Sequence, residues 1–223
     1  MAVNQCLFTV SMKKIYIIYK KIKNPIYLFT ILNSLVSRFI YRKKIWLCQG
    51  THLRGIKNIT TNSDLVIGLN HVPFYQRNSE TYINVEGCLV IENRTSIARG
   101  AIIEVSKSAK IILNGCSVGA SKFLIKHQLE IGEKTLVSWG CEFLDNNIHH
   151  LIIDGKKKNK TSGIKIGNHC WIGSNCTILA DVVIPDGCVV ATGSIVTKAF
   201  EKENCLIGGS PAKIIKEGIS WEP

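Results

Sequence analysis

The chain has 223 residues, of which 46% are hydrophobic, and carries a formal net charge of +12 at pH 7. This length allows one domain with a substantial core and a short appendage. Positions 1–57 contain eleven Lys and Arg residues and no acid, since the first carboxylate is Asp64, yet no recognised DNA or RNA fold accompanies this charge, so we expect no nucleic-acid partner.

Residues 1–49 are predicted to form a basic helical segment. Either Met1 or Met12 is compatible with the natural start. From Ile15 the apolar residues follow a helical spacing, which Pro25 interrupts and residues 26–35 resume.

The uncharged run at positions 24–37 is too short to span a bilayer, for which about twenty residues are needed. No small-residue cleavage site follows it, so a signal peptide fits poorly. Two interpretations stay open. Residues 1–47 contact an anionic membrane surface, or they pack against the first coils or a neighbouring subunit.

A six-residue period organises the rest of the chain. Apolar residues recur at Ile166, Ile172, Ile178, Ile184, Val190 and Val196. Smaller side chains stand four positions after the first five of them, at Cys170, Cys176, Val182, Cys188 and Ser194. Six residues fit one short strand and a turn, so three units close a triangular coil of a parallel β-helix.

The same period is present earlier in two different phases. One series is Val85, Ile91, Ile97, Ile103 and Ala109, and the other is Ile125, Ile131, Val137, Phe143 and His149. Such a slip usually marks a bulge or a small insertion, and Asn70–Arg77 and Gly115–Lys122 are the predicted interruptions. The nine cysteines include no CxxC pair. Cys141, Cys170, Cys176 and Cys188 fall on the small inward site of the repeat, and we expect them to be reduced core residues.

Residues 151–163 break the repeat and are predicted to project as a loop, and solenoid insertions gather on the functional face. The repeats end near Phe200, and a closing tail follows. The predicted fold is thus an all-β solenoid at 50–223 that follows the helical segment.

Three motifs carry a family resemblance: WIG at 171–173, GSIVTK at 193–198 and GGSPAKIIK at 208–216. With them the chain resembles the hexapeptide-repeat O-acetyltransferases, in the branch of the maltose/galactoside and polysaccharide enzymes. The resemblance implies a left-handed parallel β-helix, a homotrimer, acetyl-CoA as acyl donor and a saccharide acceptor.

The resemblance implies His149 as the catalytic base, because the family places its histidine just before such a loop. A base of near-neutral pKa within reach of an acceptor hydroxyl suits this role. His150 is the rival. Asp145 matches an acidic position of related enzymes and is expected to orient the imidazole or hold the acceptor; the alternative is an exposed turn aspartate.

The cofactor residues are also implied by the resemblance. Trp171 and Ser174 correspond to contacts near the thioester, where a backbone N–H stabilises the oxyanion. Contacts along pantetheine and nucleotide correspond to Thr192, Thr197 and Lys198. Basic residues for the phosphates correspond to Lys213 and Lys216. The alternative for Trp171 is simple packing against the fold. The alternative for the lysines is a solvent-exposed face.

Other family members fit less well. No asparagine stands near Gly119, where the maltose/galactoside enzymes hold their sugar, and the histidines lack the spacing of a zinc site, so no metal is expected. We expect a cytoplasmic enzyme, peripheral to the membrane if the helical segment binds it, that acetylates a bacterial surface polysaccharide or its precursor. The alternatives are an acetyltransferase for a small sugar, sugar nucleotide or antibiotic, and a non-catalytic scaffold.

Overall fold

The computed structural model of the protein describes residues 34–48, 50–69, 79–146, 149, 151–158 and 163–223. Within these residues the chain winds as a parallel β-helix whose strands form three sheets, called A, B and C here, and a separate hairpin. Successive strands visit sheets A, B and C in turn, so the sheets are the three sides of a prism. The predicted all-β solenoid is therefore confirmed.

The strands are short, as a six-residue period requires. Sheet A contains β1 (Ile45–Leu47), β4 (Leu65–Leu69), β7 (Thr95–Ala98), β10 (Ser117–Val118), β13 (Leu136–Val137), β18 (Trp171–Ile172), β21 (Val189–Val190), β23 (Cys205–Gly209) and β24 (Ala212–Glu217). Sheet B contains β2 (Thr51–Arg54), β5 (Thr81–Val85), β8 (Ile102–Val105), β11 (Lys122–Ile125), β14 (Glu142–Leu144), β19 (Thr177–Leu179) and β22 (Ile195–Val196). Sheet C contains β3 (Ile59–Thr61), β6 (Cys88–Ile91), β9 (Lys110–Leu113), β12 (Gln128–Ile131), β17 (Ile164–Ile166) and β20 (Val183–Ile184). A 3₁₀ turn, Ile56–Asn58, precedes β3.

The apolar residues of the six-residue period fill the prism. Ile166 pairs with Ile184, and Ile172 pairs with Val190, so equivalent residues of successive coils stack directly. All six large positions from Ile166 to Val196 and all five small positions from Cys170 to Ser194 are buried. Stacking of each apolar row on its neighbours is what holds a solenoid together.

The phase slip arises from unequal spacing between the sheets. Ile103 stacks on Phe123, Leu113 on Ile131, and Val118 on Val137. The chain takes ten residues from Ile103 to Leu113, but only five from Leu113 to Val118 and five from Val118 to Phe123. The slip predicted at Gly115–Lys122 is therefore present. It is not an added residue: the chain takes fewer residues between stacked positions after Leu113, following a longer connection between Ile103 and Leu113. The other predicted interruption, Asn70–Arg77, lies outside the described residues.

The solenoid begins before the predicted domain boundary at residue 50. Strand β1 pairs with β4, and Ile45 is buried in the core. A helix at 34–39 precedes β1, and its buried Ser37 donates a hydrogen bond to the Ile45 carbonyl (2.6 Å). The earlier part of the predicted helical segment, 1–33, lies outside the described residues. No helix within the described part of the chain is long and apolar enough to span a membrane.

The cysteines predicted to point inward, Cys141, Cys170, Cys176 and Cys188, are buried, and every cysteine in the described residues is a free thiol. Burial raises the pKa of Cys170 to about 12 and that of Cys116 likewise to about 12. Cys170 and Cys116 therefore stay protonated and act as small apolar side chains.

The predicted projecting loop contains an antiparallel hairpin, β15 (Leu151–Ile153) and β16 (Lys156–Lys158). Asp154 and Gly155 connect the strands with φ angles of 51° and 70°. Positive φ at both central residues characterises a type I′ turn, for which Asp-Gly is a favoured pair. Residues 159–162 lie outside the described part.

Candidate active site

His149 lies where the chain leaves the regular coil. It follows β14 in sheet B and precedes the hairpin, and its side chain is exposed. By its spacing from Phe143 it falls on the inward row, but the coil opens here and the imidazole faces solvent. The structure thus leaves His149 accessible to a substrate, whereas His150 lies outside the described residues.

Asp145 is neither an exposed turn aspartate nor, in its described contacts, a partner of the imidazole. It is fully buried, and its carboxylate accepts hydrogen bonds from the backbone N–H groups of Lys126 (2.8 Å), His127 (2.6 Å) and Gln128 (2.9 Å). It is not an exposed turn aspartate, because these three amides of the turn between β11 and β12 surround it. Its described contacts make it a positioning residue that fixes the turn beside the His149 segment, and the predicted contact with the imidazole is not among them.

Trp171 lies on the outer face of sheet A. Its indole Nε1 donates to Ser138 Oγ (3.1 Å), and its ring lies 5.9 Å from that of Trp221. Trp221 in turn stacks on His169 with a centroid distance of 4.7 Å and donates from Nε1 to the His169 carbonyl (2.8 Å). The C-terminal tail thus folds back beside Trp171. Sequence reasoning missed this cluster, because it considered His169 only as a zinc ligand and the tail only as a closing strand.

Ser174 and Thr192 occupy the same place in successive coils, at the corner between sheets A and B. Their hydroxyl oxygens are 3.4 Å apart. The N–H groups of Gly173 and Asn175 bond to the carbonyls of Val190 and Trp139, whereas the Ser174 N–H has no acceptor among the described residues. This amide is therefore available to a ligand, as the predicted oxyanion contact requires.

The remaining predicted cofactor residues are spread around the last coil. Thr197 and Lys198 follow β22 in sheet B, and Lys198 Nζ lies 5.9 Å from the Phe200 ring centroid. Lys213 and Lys216 are exposed on β24, which pairs antiparallel with β23 at the edge of sheet A.

One protomer does not bring these groups into a single site. His149 lies at the corner between sheets B and C, and Trp171 lies on sheet A, which is the side of the prism across from that corner. The core fills the space between them. Ser174 and Thr192 are brought together, and Trp171 meets the tail, but His149 is separated from both groups.

No group of three or more His, Cys, Asp or Glu side chains that could hold a metal occurs in the described residues.

Residues 163–198 match the family described as bacterial transferase hexapeptide (six repeats). A Klebsiella pneumoniae protein, described as an uncharacterized 24.8 kDa protein in cps region, is 39% identical over 191 residues, which are 84% of this chain and 86% of that protein. The putative lipopolysaccharide biosynthesis O-acetyl transferase WbbJ of Escherichia coli is 41% identical over 58 residues, which are 26% of this chain and 29% of that protein.

Among solved structures, a mutant of the N-acyltransferase AntD from Bacillus cereus in complex with dTDP and coenzyme A superposes with a TM-score of 0.51. The superposition covers 71% of this chain and 82% of that one at 17% identity, so it bears on the fold alone. The chain therefore belongs to the bacterial hexapeptide-repeat transferase family, and it is an acyltransferase built on a left-handed parallel β-helix.

Proposed function

We propose that the protein is a trimeric, acetyl-CoA-dependent O-acetyltransferase that modifies a sugar hydroxyl of a bacterial surface polysaccharide or its precursor. The observation that carries this proposal is the exposed His149, placed where the coil of a transferase fold opens beside a projecting hairpin. A solenoid that served only as a scaffold has no need to interrupt its apolar row with an imidazole.

The chemistry follows from the groups available. The His149 imidazole accepts the proton of the sugar hydroxyl while the hydroxyl oxygen attacks the thioester carbonyl of acetyl-CoA. The Ser174 N–H donates to the oxyanion of the tetrahedral intermediate. When the intermediate collapses, the C–S bond breaks, the acetyl group stays on the sugar, and the imidazolium returns its proton to the leaving thiolate. Transfer is direct, so no acyl-enzyme forms.

The trimer is part of the proposal because the two halves of the site lie on opposite sides of one protomer. A threefold arrangement in which the corner between sheets B and C of one protomer approaches sheet A of the next brings His149 to Trp171 and Ser174. Each active site then takes residues from two protomers, which accounts for exposed groups that are far apart within one chain.

The polysaccharide acceptor rests on the relatives. The match that extends over most of the chain is to a protein of a cps region, and the shorter WbbJ match is to a lipopolysaccharide biosynthesis O-acetyl transferase. A small-molecule acceptor is the alternative. Acetyl transfer to a panel of polysaccharides, precursors and small sugars tests this choice, and transfer to small sugars alone contradicts it.

The lysines of β24 give a prediction about the donor. Replacing both Lys213 and Lys216 with Ala is expected to raise the KM for acetyl-CoA roughly tenfold and leave kcat nearly unchanged, because phosphate contacts are equal in ground and transition states. Steady-state kinetics measure this. The matched control replaces two other exposed lysines, Lys107 between β8 and β9 and Lys110 at the start of β9. Equal KM values in all three proteins would remove the β24 lysines from the site.

The segment before the solenoid gives a prediction about membranes. Leu35, Val36, Phe39 and Ile40 are exposed on the helix at 34–39 and just after it, and Arg38 and Arg42 are exposed beside them. We propose that this surface, with residues 1–33, binds anionic membrane reversibly, since cations near such a surface contribute about 1 kcal/mol each and are screened by salt.

The intact protein is expected to sediment with anionic vesicles at low salt, to be released at high salt and to ignore neutral vesicles. Deletion of 1–33 removes five lysines, so it should weaken sedimentation and keep acetyl transfer to a soluble acceptor. The deletion stops there because removing residues up to 47 would also remove β1 and Ser37. Indifference of the intact protein to vesicles, together with failure of the shortened chain to form trimers, would instead support a packing role.

A further inference from the structure

A cleft of about 580 Å³ lies between the outer face of sheet A and the returning C-terminal tail, and we call it the tail cleft. Its floor comes from β4, β7, β10 and β13, and its end is closed by Trp221 and Pro223. No periodic pattern in the sequence predicts this cleft, because it forms only when the tail folds back on the solenoid.

The polar wall of the tail cleft is a ladder of corner residues. Arg94, Gly115, Lys134 and His169 each stand two positions before paired residues of sheet A, namely Ser96, Ser117, Leu136 and Trp171. They therefore occupy the same place in four successive coils. Arg94 and Lys134 are two coils apart, a separation of about 10 Å at the usual strand spacing.

The side chains that line the tail cleft carry a net positive charge. Among the described residues that line it there is no carboxylate side chain, and neither Arg94 nor Lys134 forms an ion pair within the described part of the chain. Asp64, at the next place down the ladder, lies outside the lining and accepts a hydrogen bond from Trp46 Nε1 (3.2 Å). Two cations without acidic partners are suited to an anionic ligand.

The backbone at these corners is left-handed. Lys134 and His169 have φ angles of 58° and 50°, in the left-handed region that disfavours residues with a Cβ atom. Glycine stands at the same place in neighbouring coils, at Gly115 (φ 59°) and Gly187 (φ 70°). Glycine is therefore the easier residue at this place in the coil, and the backbone at position 134 suits it.

Part of the floor of the tail cleft is apolar. Val66, Leu69 and Leu136 line the tail cleft together with the Trp221 ring, which the His169 contacts hold in place. An apolar surface with an aromatic ring suits the C–H face of a sugar, while the ladder reaches its charged groups.

The position of the tail cleft relative to Trp171 bears on whether its ligand is the acyl donor or the acceptor. The proposed cofactor residues Thr192, Thr197 and Lys198 lie in coils on the C-terminal side of Trp171, whereas the tail cleft extends from it across the N-terminal coils. Resting on the proposed function, we infer that the tail cleft binds the acceptor and that its ligand is a glycan carrying carboxylates on its sugar units, with Arg94 and Lys134 each meeting one anion.

Direct binding tests this inference without acetyl transfer. The intact protein is titrated by NMR with hexasaccharides of hyaluronan, polygalacturonate and α2,8-linked sialic acid, each beside its carboxyl-reduced form. At least one acidic hexasaccharide is expected to bind, and at least tenfold more tightly than its reduced form. Arg94→Ala with Lys134→Gly should weaken that binding at least tenfold without lowering the melting temperature, because glycine suits the backbone at 134.

The control is again Lys107→Ala with Lys110→Ala, which removes the same net charge outside the tail cleft and should bind like the parent. Equal binding of acidic and reduced glycans, no binding of any acidic glycan, or equal weakening in both double variants would overturn the inference. The two proposals fail separately. Cleft-dependent binding without any acetyl transfer overturns the proposed function alone, whereas transfer with the same acceptor KM in parent and cleft variant overturns the tail-cleft site alone.

Discussion

Replacing His149 with alanine is expected to lower kcat by about 10² to 10⁴, the range attributed to general acid–base catalysis. The structure supports this expectation, because the imidazole is exposed where the coil opens. The KM for acetyl-CoA should change little, since the proposed donor contacts lie in other coils. Initial rates of CoA release measure both constants.

The matched control is His127→Ala. His127 is also exposed, but its contacts are through the backbone, which donates to Asp145 and accepts from Lys110. This variant should keep parental rates. If His150→Ala is the inactive variant and His149→Ala is not, the correspondence with the family is displaced by one residue and the proposed base is wrong.

Replacing Asp145 with alanine is expected to lower the free energy of unfolding by about 3 to 5 kcal/mol. The carboxylate is buried and accepts hydrogen bonds from three consecutive backbone amides, and a hydrogen bond to a charged group contributes about 1.5 to 3 kcal/mol. Denaturant unfolding at a fixed protomer concentration measures the change, because oligomerisation affects apparent stability.

Two variants make this prediction specific. Asp145→Asn keeps one acceptor oxygen but turns an NH₂ group toward the amides, so it should destabilise nearly as much. Asp154→Ala removes an exposed carboxylate at the hairpin tip and should change the free energy of unfolding by less than about 0.5 kcal/mol. An Asp145→Ala variant of parental stability that has lost its activity would show that the carboxylate acts on substrate, as the sequence predicts.

The solenoid was predictable because its signal is local and repeated. Each apolar residue from Ile166 to Val196 points inward for the same reason, and the parallel register stacks equivalent residues. The phase slip was harder to interpret, because a longer corner near residue 106 and shorter corners after Leu113 compensate each other. The sequence shows only the total number of residues in the coil, and not how they are divided among its corners.

The site was predicted less completely because it depends on contacts between distant parts of the chain. Asp145 was expected to orient the imidazole or hold the acceptor because it matches an acidic position of related enzymes, but its partners at 126–128 belong to the preceding coil. The stacking of Trp221 on His169 joins positions 52 residues apart, and no periodic pattern announces it. Nor can one chain's sequence show which groups a neighbouring protomer supplies.

The most direct test of the central claim is the transfer of label from [¹⁴C]acetyl-CoA to saccharide, measured with the intact protein and with His149→Ala across capsular, O-antigen and exopolysaccharide acceptors and their precursors. The account predicts alkali-labile label in at least one acceptor, with the rate reduced by about 10² or more in the variant. Label in no acceptor, or equal label with parent and variant, would contradict it.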